Sequence, residues 1–172
     1  MDESELKAVD IHEGIDNTLL ILQHRLKNKP GCPDIQVIFD YDSLPLVECY
    51  PGQLNQVFMN ILTNAIDAIE EANAKRNYSE IKENPSQISI QTSLIDSNWI
   101  KISISDNGIG MSESVRKHIF DPFFTNKAIG KGTGLGMSIS YQIVIEKHRG
   151  RLDCFSTSGE GTTFVIQIPI HQ

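Results

Sequence analysis

The chain has 172 residues, 40% of them apolar, and a formal net charge of −7 at pH 7; at this length a single domain buries roughly 70% of its unfolded surface. The negative balance argues against long-range attraction to nucleic acid or acidic lipid, and no apolar run reaches the ~18 residues of a membrane span, so contact with neither is expected. Cys32, Cys49 and Cys154, odd in number and without a CxxC pair, argue against a closed disulfide framework and point to reduced thiols in the cytoplasm.

Residues 1–10 are polar and acidic, with a short strand predicted over 6–9. Apolar residues at Ile11, Ile15, Leu19, Leu22 and Leu26 predict a helix over 11–27, ended by the Pro30-Gly31 breaker. Residues 37–39 and 46–49 read as short strands around a turn. The strongest periodicity lies in 53–72, where Leu54, Val57, Phe58, Ile61, Leu62, Ala65, Ile66 and Ile69 mark one broad apolar side of a helix. The polar stretch 73–86 reads as a lid-like loop. Period-two alternation over 88–94 and 100–105 predicts paired, half-buried strands. A glycine-rich segment follows, then a helix over 137–149 and two closing strands over 151–155 and 162–168. Helices mixed with mostly antiparallel strands predict an α+β fold: a two-layer α/β sandwich, one mixed sheet with helices on a single face.

Three groups of residues carry chemistry. On the long helix Asn60, Asn64, Asp67 and Glu71 are spaced to lie within an arc of about 60°. Two asparagines at its start are unusual on a solvated helix face, and carboxamide oxygens suit a hard cation such as Mg²⁺. Asp106-Asn107-Gly108-Ile109-Gly110-Met111 places a carboxylate at a strand end before a glycine turn; such a carboxylate can accept a hydrogen bond from an exocyclic amine. Gly130-Lys131-Gly132-Thr133-Gly134-Leu135-Gly136-Met137 runs into a helix, where free N–H groups and the helix dipole make a phosphate cradle. The Rossmann and P-loop fingerprints are absent. Between the glycine segments, Phe120 and Phe123 read as core, and Lys127 and Lys131 are each candidates for phosphate contact as point charges.

In this order the segments resemble the histidine kinase branch of the ATPase family shared with gyrase, heat-shock chaperones and mismatch-repair proteins, a Bergerat-type ATP-binding fold. Gln56 to Ala65 is similar to the N box, Asp106 to Met111 to the first glycine box, Phe120 to Lys127 to the F box, and Gly130 to Met137 to the second glycine box. Gly159-Glu160-Gly161-Thr162-Thr163-Phe164 with Pro169 is similar to the closing strands. The resemblance implies that Asn64 ligates Mg²⁺, that Asn60 assists at the phosphates, and that Asp106 binds the adenine amine with help from Thr162 through water. It implies that Gly108 and Gly110 shape the adenine pocket and that Thr133, Gly134, Leu135 and Gly136 wrap the triphosphate as a lid, with Asp67, Ile109, Met111, Lys131, Gly132 and Met137 also among the ATP-binding residues. Asn60, Asn64 and Lys127 are the implied catalytic residues. Many such kinases carry Lys or Arg where this chain has Asp67, so basic help is expected from Lys127 and Lys131.

The implied function is transfer of the γ-phosphoryl group of ATP to a histidine on a separate dimerisation domain, and onward to a response regulator. The alternatives are an ATPase of the gyrase type and a degenerate nucleotide sensor. Hydrolysing relatives hold a Glu where this chain has Asn60, and an amide cannot take a proton from water. His12-Glu13 resembles a phosphoacceptor pair, but the expected proline and second hairpin helix are absent, so His12 reads as a helix-start residue. The acceptor is expected upstream in a homodimeric parent, with residues 1–172 forming one catalytic domain, monomeric by itself.

Overall fold

The computed structural model describes residues 5–27, 30–124 and 136–172. In chain order the elements are β1 (Lys7–Val9), α1 (Ile11–Ile21), α2 (Gln23–Leu26), β2 (Gln36–Asp40), β3 (Val47–Cys49), α3 (Pro51–Asn73), α4 (Tyr78–Glu83), β4 (Gln87–Ile95), β5 (Trp99–Asp106), α5 (Glu113–Lys117) and α6 (Gly136–Gln142). A widened helical segment at Ile143–Lys147 then leads into β6 (Arg151–Thr157) and β7 (Gly161–Pro169).

Alternation along the strands builds the first layer. Ile88 and Ile90 of β4, Ile100, Ile102 and Ile104 of β5, Leu152 and Cys154 of β6, and Phe164, Ile166 and Ile168 of β7 are all buried. Their neighbours Ser89, Ser103, Ser105 and Thr163 are only partly covered, and Ser105 and Thr163 share a cross-strand hydrogen bond of 2.8 Å. The sheet runs β2-β4-β5-β7-β6, with β2 parallel to β4 and every other pair antiparallel. The same alternation carries Asp106 inward at the end of β5, in line with three isoleucines.

Helix α3 is the second layer. Its eight buried residues are those that the sequence periodicity marks, Leu54 through Ile69; removing a large one such as Ile61 costs roughly 2–5 kcal/mol. Helices α1 and α6 flank α3 over one continuous core. The α/β sandwich expected from the sequence is therefore the observed architecture.

Four local expectations need correction. The helix expected over 11–27 breaks at Leu22 into α1 and α2; within it the Thr18 hydroxyl donates back to the Gly14 carbonyl at 2.8 Å, an arrangement that bends helices. The strands at 37–39 and 46–49 do not pair with each other, since β2 adds to β4 and β3 pairs with β1. The expected loop 73–86 contains α4, nucleated by a capping box between Asn77 and Glu80 and anchored by buried Ile81. Phe120 packs against Tyr141 and Phe164 as core, whereas Phe123 is 73% exposed.

The last helix also departs from regularity. After α6 the chain widens, with the His148 N–H reaching the Ile143 carbonyl at 3.2 Å. The buried His148 ring reinforces this turn. Its Nδ1 lies 2.9 Å from the same carbonyl, and its Nε2 accepts the Tyr50 N–H at 3.0 Å. Tyr50 precedes Pro51, the first residue of α3, so this neutral imidazole ties the end of one helix to the start of the other.

A cleft between the long helix and the first glycine turn

The polar stripe of α3 faces the end of β5 across a cleft. It is lined by Asn64, Asp67, Ala68 and Glu71 from α3, by Asp106, Ile109, Gly110 and Met111 from the glycine turn, and by Ile119 and Thr162. Asp106 is buried, and that burial pushes its carboxyl up to about 6, against the opposing hydrogen bonds from the Gly108 and Thr162 backbone. The Gly108 N–H donates to Asp106 Oδ1 at 2.8 Å. An acceptor held this way, at the mouth of an apolar row, suits a neutral amine donor.

The glycines have a physical reason visible only in three dimensions. A Cβ on Gly108 would stand 2.6 Å from the Ala68 backbone carbon, and one on Gly110, at φ +70°, would stand 2.1 Å from the Thr157 oxygen. Their absence of side chains lets the turn lie directly on α3, where the Ile109 N–H donates to the Ala68 carbonyl at 3.0 Å. Ser156 braces the other side. Its hydroxyl accepts the Met111 N–H at 2.8 Å and lies 3.0 Å from the Gly161 carbonyl and 2.8 Å from Thr162 Oγ1.

The two asparagines divide their work. Asn60 lies outside the cleft lining, and its amide donates to the Gly136 carbonyl and to Ser140 Oγ, each at 3.0 Å. It thereby fixes the start of α6. The Asn64 carboxamide, in contrast, faces the cleft with no hydrogen-bond partner among the described residues. Its oxygen, with carboxylates nearby at Asp67 and Glu71, is the donor type a hard cation prefers. Among the described residues no group of three His, Cys, Asp or Glu forms a ready metal cage. The residues therefore suit Mg²⁺ brought in with phosphate oxygens, which completes its shell with waters and needs few protein ligands.

Of the residues singled out in the sequence, the fold brings Asn64, Asp67, Asp106, Ile109, Gly110, Met111 and Thr162 together. Gly108 is the residue of the turn packed directly on α3, while Gly136 and Met137 open α6 beside Asn60. Lys127, Lys131, Gly132, Thr133, Gly134 and Leu135 lie outside the described residues. Sequence reasoning missed Ser156, Ile119 and Arg25. Arg25 Nη2 donates to Asp67 Oδ1 at 2.7 Å and to Glu70 Oε1 at 2.8 Å, a pairing across 42 residues that no local pattern announces. His12 is engaged elsewhere, stacked on Tyr41 at 3.9 Å with its Nε2 2.8 Å from Thr92 Oγ1. No helix among the described residues is long and apolar enough to cross a membrane.

Comparison with known proteins agrees with this geometry. Residues 49–172 match the family of histidine kinase-, DNA gyrase B-, and HSP90-like ATPases. The chain is 39% identical over 148 residues to sporulation kinase E of Bacillus subtilis, an alignment covering 86% of this chain and 18% of that protein. It is 42% identical over 173 residues to the signal transduction histidine-protein kinase AtoS of Escherichia coli, covering 98% of this chain and 24% of that protein. The chain thus spans about a fifth to a quarter of the length of these curated relatives. Among solved structures, the nucleotide-free catalytic domain of the histidine kinase ThkA superposes with a TM-score of 0.77 at 26% identity, covering 98% of this chain and 99% of that one. The chain belongs to the family of histidine kinase-, DNA gyrase B-, and HSP90-like ATPases, as an ATP-binding catalytic domain of the histidine kinase type.

Proposed function

We propose that this chain binds ATP with Mg²⁺ and presents the γ-phosphoryl group to a histidine on a separate dimerisation domain of a larger sensor kinase. The observation that carries the choice of kinase over hydrolase is the state of Asn60. At this position, one helical turn before Asn64, the side chain is an amide whose NH₂ is already committed to Gly136 and Ser140. It has no lone pair basic enough to take a proton from water, so a water molecule here lacks a general base. A neutral imidazole, with pKa near 6.5, is already nucleophilic at pH 7.

In this reading Asp106 accepts the adenine amine, and the turn from Gly108 to Met111 supplies the walls of the base pocket. Asn64 would hold the metal, which when bound neutralises phosphate charge. Asn60 fixes where α6 begins, and with it the end of the second glycine segment. Phosphoryl transfer depends mainly on such alignment and charge neutralisation. The parent would supply the acceptor histidine, dimerise through that domain, pass the phosphoryl group to a response regulator, and keep this domain in the cytoplasm. The relatives named as histidine kinases support this reading.

Incubation with γ-labelled ATP, with and without the dimerisation and phosphoacceptor fragment of a related sensor kinase, tests it. Label is expected on a histidine of the added fragment, with slow turnover and no stable label on this chain alone. Rapid phosphate release by the chain alone would favour the ATPase alternative, and label on His12 would place the acceptor within this chain.

A further inference from the structure

The cleft poses an electrostatic problem. Asp67, Glu71 and Asp106 all line it and no Lys or Arg does so among the described residues, in a chain already carrying −7. Asp106 serves the base. Asp67, three residues beyond Asn64 on the same stripe, stands instead beside the side chain proposed to hold the metal and phosphates. An uncompensated carboxylate there repels a polyphosphate. The structure meets it with Arg25, whose Nη2 bridges Asp67 and Glu70 at 2.7 and 2.8 Å.

We propose that Arg25 is a positioning residue for the nucleotide: it holds the Asp67 carboxylate toward α2 and offsets its charge, so that the α3 stripe accepts a triphosphate. This rests on the ATP reading of the cleft. Three observations favour such a role over an incidental surface pair. The three side chains are only 27–37% exposed, so solvent screens them less than it screens a free surface pair. One guanidinium nitrogen serves two carboxylates, and only Asp67 of these lines the cleft. The short helix α2 has an apolar anchor of its own in Leu26, which is 5% exposed, so its placement does not rest on Arg25 alone. Guanidinium stays charged at any working pH, which makes the compensation constant.

The test compares binding of ATP and of adenosine by calorimetry for the parent chain, Arg25→Lys, Arg25→Gln, Asp67→Asn and the double variant Arg25→Gln/Asp67→Asn. Arg25→Gln is expected to weaken ATP about tenfold and adenosine less than about twofold, because the released Asp67 carboxylate is then free to turn toward the phosphates. Arg25→Lys keeps the cation and is expected to retain most of the affinity. In the Asp67→Asn background the Arg25→Gln change is expected to cost about threefold or less, because the carboxylate it restrains is gone and only the direct effect of its charge remains. Equal losses for ATP and adenosine, or the same loss in both backgrounds, would overturn the proposal. Arg25→Met, which keeps the apolar stem, replaces the glutamine variant if the latter does not melt cooperatively. Asp106→Asn runs alongside: if it leaves both ligands bound as in the parent chain, the nucleotide reading of the cleft fails, and that failure is distinct from a null result at Arg25.

Discussion

Replacing Asp106 with Asn isolates the base-recognition step. The carboxylate is buried at the end of β5 and accepts from the Gly108 N–H at 2.8 Å, leaving oxygen capacity toward the cleft. A hydrogen bond to a charged group is worth roughly 1.5–3 kcal/mol, so Asp106→Asn is expected to weaken ATP, ADP and adenosine by a common factor of about ten- to a hundredfold. Equal losses are the signature, because the three ligands share the base and differ in phosphates. The carboxyl titrates at about 6, and only the ionised form accepts fully. Parent affinity should therefore fall about tenfold between pH 7.5 and pH 5, and the asparagine variant should lose that slope.

Stability moves the other way, which separates a binding defect from unfolding. The folded-state carboxyl is raised from 3.8 to about 6, so the stability it confers is full below about pH 3.8 and is lost as pH rises through 6. The ionised buried group then costs at most about 3 kcal/mol. Asp106→Asn removes that cost, so at pH 7.5 its melting temperature should equal or exceed that of the parent. Isothermal titration calorimetry at pH 5, 6 and 7.5, with thermal melts in the same buffers, reads both effects. Unchanged nucleotide affinity, or a pH slope that survives in the variant, would refute the assignment of Asp106 to adenine.

Asn64→Ala should abolish the enhancement of ATP binding by Mg²⁺ while sparing metal-free adenosine binding, as titrations at low and high Mg²⁺ would reveal; unaltered metal dependence would move the metal site elsewhere. Gly108→Ala should cost roughly 1–3 kcal/mol in denaturant melts, because its Cβ would meet the Ala68 backbone at 2.6 Å and backbone cannot rotate aside; full stability would mean that the turn has room to shift. Burial holds His148 below its usual pKa of 6.5, so its stabilising neutral form is complete above pH 6.5 and is lost as pH falls through the lowered value. The melting-temperature advantage of the parent over His148→Gln should shrink from pH 7.5 to pH 5, and an advantage that grows on acidification would contradict the neutral latch.

Local pattern sufficed wherever neighbours in sequence become neighbours in space. The eight apolar residues of α3 repeat at helical spacing and are the eight that are buried. The alternation of β5 carries past Ile104 to place Asp106 inward, and the stripe from Asn64 to Glu71 faces the cleft as helical geometry requires. The family resemblance adds roles to those residues from the sequence alone. Tertiary structure alone decided what depends on contacts between distant segments. The partner of β2 is β4, some fifty residues on, rather than the nearby strand β3. Asn60 anchors α6, and Asp67 is offset by Arg25. His148 braces the start of α3 across 98 residues. Periodicity encodes which face of an element is apolar, but it carries no record of which element that face will meet. Pairings between polar side chains far apart in the chain leave no periodic trace, since each partner by itself reads as an ordinary surface residue.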